Sequence, residues 1–299
     1  MARVLISGAS GLIGSALAAK LSSEGHEILR LVRRPARAAG EVEFSPEAVN
    51  FLPKFACDAV VHLAGESVMG LWTAAKKRRI ADSRIVGTRV LAEALARLAT
   101  KPAVMVSASA VGYYGERGNE VLTEASGPGE GFLPETCVKW EAATAAARAA
   151  GIRVVNPRIG LVLARRGGML KTLLPIFRLG LGSRLGDGQH WMTWIALEDL
   201  VALITFALNT PSLAGPVNAT APNPVTNTEF TKTLAKVLRR PTFLPVPTFA
   251  LNLAPGNMAR EALLASERVI PTKALEAGFR FQFETLEEAL TAALAAGSR

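Results

Sequence analysis

Three glycines in the segment Gly8-Ala9-Ser10-Gly11-Leu12-Ile13-Gly14 follow a short β-branched run, Val4-Leu5-Ile6. After them Leu12, Ile13, Ala16, Leu17 and Leu21 recur at helical spacing, and Gly25 closes the helix. This is a G-x-x-G-x-x-G loop between a strand and a helix, the setting that gives such glycines chemical meaning. Glycine permits the tight turn and lets backbone N–H groups approach a pyrophosphate, while the helix presents its positive end to the phosphate charge. Gly8, Ser10, Gly11, Leu12, Ile13 and Gly14 are therefore expected to hold a dinucleotide. The end of the second strand selects the nucleotide. An Asp or Glu there would bond the ribose hydroxyls of NAD, whereas arginine accommodates a 2′-phosphate. The chain reads Leu31-Val32-Arg33-Arg34-Pro35, so Arg33 and Arg34 point to NADP(H).

Other reactive side chains are few. Ser109 follows the fourth expected strand, and the two tyrosines, Tyr113 and Tyr114, come just after it. His190 lies between Gly188 and Trp191 in a glycine-rich stretch, where an imidazole could act as a general acid near neutral pH. His26, His62 and His190 show no ligand spacing with one another or with the cysteines, so no metal is expected. A Gly-x-Ser-x-Gly elbow is also absent. The two cysteines, Cys57 and Cys137, are too few for a disulfide framework and fit a reducing compartment.

The elements that must position these residues alternate. Strands are expected at Val4-Leu5-Ile6, over 27–32, at 59–63, at 103–106 and at Arg153-Val154-Val155. Helices are expected after Gly14, over 85–98 and over 135–150. That alternation implies an α/β fold, a Rossmann-type doubly wound parallel sheet covered on both faces. After about residue 165 glycines and prolines become frequent and strands less obvious. Thr226 with Glu229 forms a capping box ahead of Phe230, Leu234, Val237 and Leu238, and 286–295 reads as a last helix. Residues 1–165 thus form the dinucleotide-binding domain, and 166–299 a smaller substrate-side region packed on it.

Bulk properties exclude several classes. Of 299 residues, nearly half are apolar and a fifth charged, as in a globular protein. No apolar run reaches the roughly 18 residues of a membrane span. The stretch Phe243 to Pro255 is broken by Pro245 and Pro247. The first residues read as a strand and not as a cleavable leader, so a cytoplasmic location is expected. The net charge of +9 comes from short scattered clusters, 76–79, 165–166 and 239–240, without interleaved aromatics. Solvated faces that favour anionic or polar small molecules explain it better than nucleic acid does.

Together these residues resemble the extended, atypical branch of the short-chain dehydrogenase/reductase superfamily, and within it the epimerase-family proteins grouped as sugar-nucleotide epimerases. The resemblance spans essentially the whole chain. It rests on Gly8 to Gly14, Leu63-Ala64-Gly65-Glu66, Ser83-Arg84, Lys139-Trp140-Glu141, Pro157-Arg158-Ile159-Gly160, Gly186-Asp187-Gly188, Trp191 to Ile195 and Gly278-Phe279. It implies that Leu63, Ala64, Gly65 and Arg84 join the glycine loop and Arg33 or Arg34 around the dinucleotide. It also implies that the C-terminal half is the substrate side, with Tyr114, His190 and Trp194 as candidate substrate contacts.

The superfamily's usual catalyst is a Tyr-x-x-x-Lys pair on one helix face, aided by a Ser or Thr. Here Ser109 occupies the Ser position, but Cys137 falls at the tyrosine position and Glu141 at the lysine position. Lys139 cannot substitute, because i+2 faces away from i on a helix. A thiol near a carboxylate tends to keep its proton. Ser109, Tyr113 and Cys137 are the candidate catalytic residues, and the proton donor stays open among Cys137, the tyrosines and His190. Two readings follow. One is an NADP(H)-dependent oxidoreductase or epimerase acting on a small carbonyl or hydroxyl compound, with nucleotide sugars among the candidates. The other is a low-activity NADP(H)-binding sensor or scaffold.

Overall fold

The computed structural model describes residues 1–44, 56–242, 261 and 263–295; the apolar stretch 243–255 lies outside them. The main sheet is assembled from β1 (Arg3–Ser7), β2 (Glu27–Val32), β3 (Glu41–Glu43), β4 (Ala59–His62), β5 (Val104–Ser107), the two-residue β6 (Ser109–Ala110), β8 (Arg153–Ile159) and β12 (Gly215–Ala219). Between these in the chain lie β7 (Val121–Leu122), β9 (Leu161–Leu163), β10 (Trp191–Met192) and β11 (Trp194–Ala196). β13 (Val225–Thr226) and β14 (Arg268–Val269) follow. The sheet order is β12-β8-β5-β4-β1-β2-β3, every pairing is parallel, and β6 continues alongside β8. The order reverses between β1 and β4, the switch point where open α/β sheets take ligands.

The central strands are apolar because both of their faces are covered. Val4, Ile6, Val61, Val106 and Val155 face one way, against Leu17 and Leu21 of α1 (Leu12–Ser23) and Leu200 and Ile204 of the helix Leu197–Asn209. Leu5, Val60, Met105 and Val154 face the other, against Leu91 and Leu95 of α2 (Ala74–Ala96).

Several elements depart from the sequence reading. α2 begins well before 85, because the Thr73 hydroxyl accepts the Lys76 N–H and caps it there. The expected helix over 135–150 divides into α3 (Phe132–Ala142) and α4 (Ala145–Ala149). Thr144 causes the break, its hydroxyl bonding back to the Glu141 carbonyl at 2.6 Å. β12 lies in the region after residue 165 expected to pack on the dinucleotide-binding domain, and it pairs with β8 as an edge strand of the main sheet. Gly215, Pro216 and Asn218 hide it, since such residues are confined to edge strands and depleted in strands generally. The rest of that region has a core of its own, with Phe177 of α5 (Gly168–Arg178), Trp194, Phe230, Leu234 and Leu290. The capping box at Thr226 and Glu229 opens the helix Asn227–Leu238, and the last described helix is Leu286–Ala295.

Candidate functional site

The glycine loop is built for close approach. Gly8 has φ +70°, and a Cβ there would lie 3.0 Å from the Leu63 carbonyl and the Ala64 nitrogen. A Cβ on Gly14 would come within 2.2 Å of the Gly8 carbonyl, so the first helical turn rests directly on the loop. Gly11 occupies the N-cap of α1 without any side-chain cap, and the first turn has no acidic residue. Its N–H groups therefore remain available to an anion. Ser7 holds the facing loop: its hydroxyl accepts from the Leu63 and Ala64 N–H groups at 3.1 and 3.2 Å and lies 2.6 Å from His62 Nδ1. Burial pushes the His62 imidazole down to about 4, so it is neutral under physiological conditions. Arg84 lies over Gly65, donates to the Glu66 and Ile80 carbonyls and sits 5.0 Å from the Trp140 ring centre. These residues fit the binding of a dinucleotide pyrophosphate.

The two arginines beyond β2 differ. Arg34 grips Glu41 of β3 with both terminal nitrogens, at 2.8 and 2.6 Å. That bond holds the Glu41 carboxyl down at about 2. Arg33 is exposed and makes no hydrogen bond among the described residues, so its fork is the one ready for a 2′-phosphate.

Cys137 and Glu141 stand one turn apart on α3. The Ser109 hydroxyl donates to Glu141 Oε1 at 2.7 Å. Arg158 donates from Nε to Oε1 at 2.8 Å and from Nη2 to Oε2 at 2.9 Å. Its third nitrogen, Nη1, reaches the Tyr114 hydroxyl at 3.0 Å, and its guanidinium lies 3.4 Å from the Tyr113 ring centre. Burial disfavours the Arg158 charge, but Glu141 and Tyr114 outweigh it and keep the arginine protonated. This network commits residues expected to be catalytic. Ser109 is buried and gives its proton to Glu141, not to a substrate oxygen. Tyr113 serves as the platform for Arg158. Tyr114, expected at the substrate, is fully buried and lies 2.7 Å from Asn218 Oδ1.

A cavity of about 440 Å³ opens beside α3. Cys137 forms part of its wall, as do Arg84, His190, Trp191, Thr193 and Glu267. Burial and then Glu141 push the Cys137 thiol up to about 12, which leaves little thiolate near neutral pH. Burial lowers the His190 pKa, and its Nε2 has no hydrogen-bond partner among the described residues. Trp194, expected to touch substrate, points into the core and donates to the Asn223 carbonyl, whereas its neighbours Met192 and Thr193 line the cavity.

Glu267 was not legible in the sequence. It precedes β14, is half-buried, and lines the cavity that Cys137 also lines. Burial, reinforced by Glu116, pushes its carboxyl up to about 8. No described group donates a hydrogen bond to that carboxyl, while its backbone carbonyl accepts from Thr193 Oγ1. Among the described residues, no group of histidines, cysteines and carboxylates could hold a metal ion, and no helix is long and apolar enough to cross a membrane.

Comparison with known proteins agrees with this geometry. The family described as NAD dependent epimerase/dehydratase matches residues 4–219, and a domain of unknown function, DUF1731, matches 246–293. An epimerase family protein of Mycobacterium bovis is 46% identical over 96% of each chain. The crystal structure of human epimerase family protein SDR39U1 with NADPH superposes with a TM-score of 0.90 at 33% identity, covering 98% of this chain and 99% of that one. UDP-glucose 4-epimerase from Thermotoga maritima, solved with UDP-glucose, shares the fold at a TM-score of 0.77 and 19% identity, over 98% and 97% of the two chains. With the family match over most of its length and relatives of this identity, the chain belongs to the NAD dependent epimerase/dehydratase family.

Proposed function

We propose that the protein is an NADP(H)-dependent oxidoreductase acting on a small carbonyl or hydroxyl compound held in the cavity beside α3. The carrying observation is one shared cavity. Cys137, which by the resemblance falls at the superfamily's tyrosine position, and the acid Glu267 line the same space. For the cofactor, the uncapped α1 N-terminus and Arg33, which makes no hydrogen bond among the described residues, supply the donors, and the human relative was crystallised with NADPH.

The bound nicotinamide would supply or take the hydride. Gly8, Gly11 and Gly14 leave room for its pyrophosphate, and Leu63 and Ala64, fixed by Ser7, bound the cleft. Glu267 retains a proton near neutral pH and can pass it to a carbonyl oxygen or recover it from an alcohol. A thiol pushed up to about 12 and a histidine held neutral by burial are poorer acids there.

The sensor reading draws on the Glu141 network, which ties up Ser109 and leaves no lysine on that helix face. Carbonyl and alcohol panels followed by NADPH absorbance decide between the two. Turnover that falls at least tenfold in Glu267→Gln, with NADPH affinity and Cys137→Ser activity kept, supports the oxidoreductase. NADPH binding without turnover of any panel member supports the sensor.

A further inference from the structure

The cavity itself narrows the substrate class. Its wall includes Ile80, Leu133, Leu173, Phe177, Met192 and Phe230, from four helices and a strand. Met69 also lines it while remaining 47% exposed. Beyond α5 the chain leaves Leu179 and Leu181 exposed at 75% and 58% before returning to the wall at Ser183.

The charged groups are equally informative. Among the described residues, the lining carries two carboxyls, Glu261 and Glu267, and one arginine, Arg84. Glu261 Oε2 accepts the Leu133 N–H at 3.1 Å. Arg84 is stacked near Trp140 and donates to two backbone carbonyls. A nucleotide sugar brings a diphosphate of about two negative charges, which would need unengaged cationic forks. Placed here, it would meet two carboxyls, hydrocarbon and uncharged groups such as Thr172, Ser183 and Asn227, and a buried charge without a cationic partner is strongly disfavoured. Among the described residues, Arg84 is the one lysine or arginine side chain that lines the cavity; the others lie elsewhere.

We infer that the cavity takes an uncharged, mainly apolar ketone, aldehyde or secondary alcohol, and not a nucleotide sugar. The hydrocarbon part lies among Leu133, Leu173 and Phe230, and the single oxygen lies at the Thr193 and Glu267 end. The inference rests on the oxidoreductase reading for the reactive group, but binding alone tests it. Methionines at 69, 169 and 192 give the wall the adaptability that a variable chain requires.

The test is calorimetry on NADP⁺-loaded protein with 2-hexanone, 2-octanone, 2-decanone and UDP-glucose, after the cofactor's own affinity has been measured. Affinity is expected to rise by about fourfold per added methylene, from the roughly 0.8 kcal/mol of each buried CH₂, with no UDP-glucose binding up to millimolar concentration. Leu173→Trp, which fills the wall, should abolish the chain-length dependence and leave NADP⁺ affinity unchanged. Met169→Trp serves the same purpose if Leu173→Trp does not fold. UDP-glucose binding, or ketone affinity independent of chain length, overturns the inference and leaves the cofactor assignment intact. Failure to bind NADP⁺ or NADPH instead overturns the oxidoreductase reading.

Discussion

The Ser109 hydroxyl and the Glu141 carboxylate are joined by a 2.7 Å hydrogen bond, and Arg158 grips the same carboxylate through both of its oxygens. Glu141, which the sequence reading places at the resembled superfamily's lysine position, is thus the acidic half of an ion pair. The Arg158 side chain is 3% exposed and that of Glu141 13%, so the pair is well removed from water. Such a pair contributes little net attraction once desolvation is counted, yet breaking it leaves a buried charge without compensation.

Glu141→Gln should therefore destabilise the fold by about 3–5 kcal/mol, the range for removing one partner of a buried pair. Urea denaturation at neutral pH measures it. A loss below about 1 kcal/mol, the range of solvent-exposed pairs, would show that water reaches Arg158 and screens it.

Ser109→Ala should act on stability more than on chemistry. A hydrogen bond to a charged acceptor is worth about 1.5–3 kcal/mol, and the Ser109 proton is directed at Glu141. The expected result is a lower unfolding midpoint with NADPH affinity unchanged and any turnover within a few-fold of wild type. A hundredfold loss of turnover at unchanged stability would restore Ser109 as a substrate-steadying hydroxyl.

Cofactor preference should separate the two arginines. Arg33→Ala is expected to cost at least tenfold in NADPH affinity, about 1.4 kcal/mol, with NADH affinity unaffected. Arg34→Ala should cost less, because that fork is already engaged by Glu41. Titration calorimetry with both nucleotides checks this. The reverse ranking would mean that Arg34 releases Glu41 when the 2′-phosphate arrives.

The sheet was legible because its central strands are short, largely β-branched apolar runs, a pattern that follows directly from burial on both faces. The glycine loop was legible for a related reason: Gly8 and Gly14 stand where a Cβ would strike backbone. The catalytic side was harder to read. Tyr114 and Trp194 are large amphipathic side chains at the right place in the chain, but both are fully buried, while Trp191, Met192 and Thr193 just before Trp194 line the cavity. Arg158 was visible within a family motif, but its bond to Glu141 joins residues on different elements and carries no local signal. Glu267 has no periodic or motif context at all. It matters only because α3, β10 and the chain before β14 close around one space.

That carboxyl gives the last prediction, on stability against pH. Native Glu267 titrates near 8 where an ordinary glutamate titrates near 4.5, with burial as the main cause and Glu116 adding to it. Between those values the native chain holds a proton that the unfolded chain has released. The native state then binds more protons, so this group makes stability fall as pH rises through the window, and its contribution levels off above about 8. Each unit corresponds to about 1.4 kcal/mol. Even discounted for the water that the cavity admits, the fall should be on the order of 3 kcal/mol. Glu267→Gln removes the titration while keeping the shape of the side chain. The difference in unfolding free energy, variant minus wild type, should be flat below pH 4.5, grow in favour of the variant up to pH 8, and stay constant beyond. Cys137 and His190 remain in both proteins and cancel in that difference. A flat difference from pH 5 to 9 would show that Glu267 titrates like a surface carboxylate, and the cavity would then lack its acid at neutral pH.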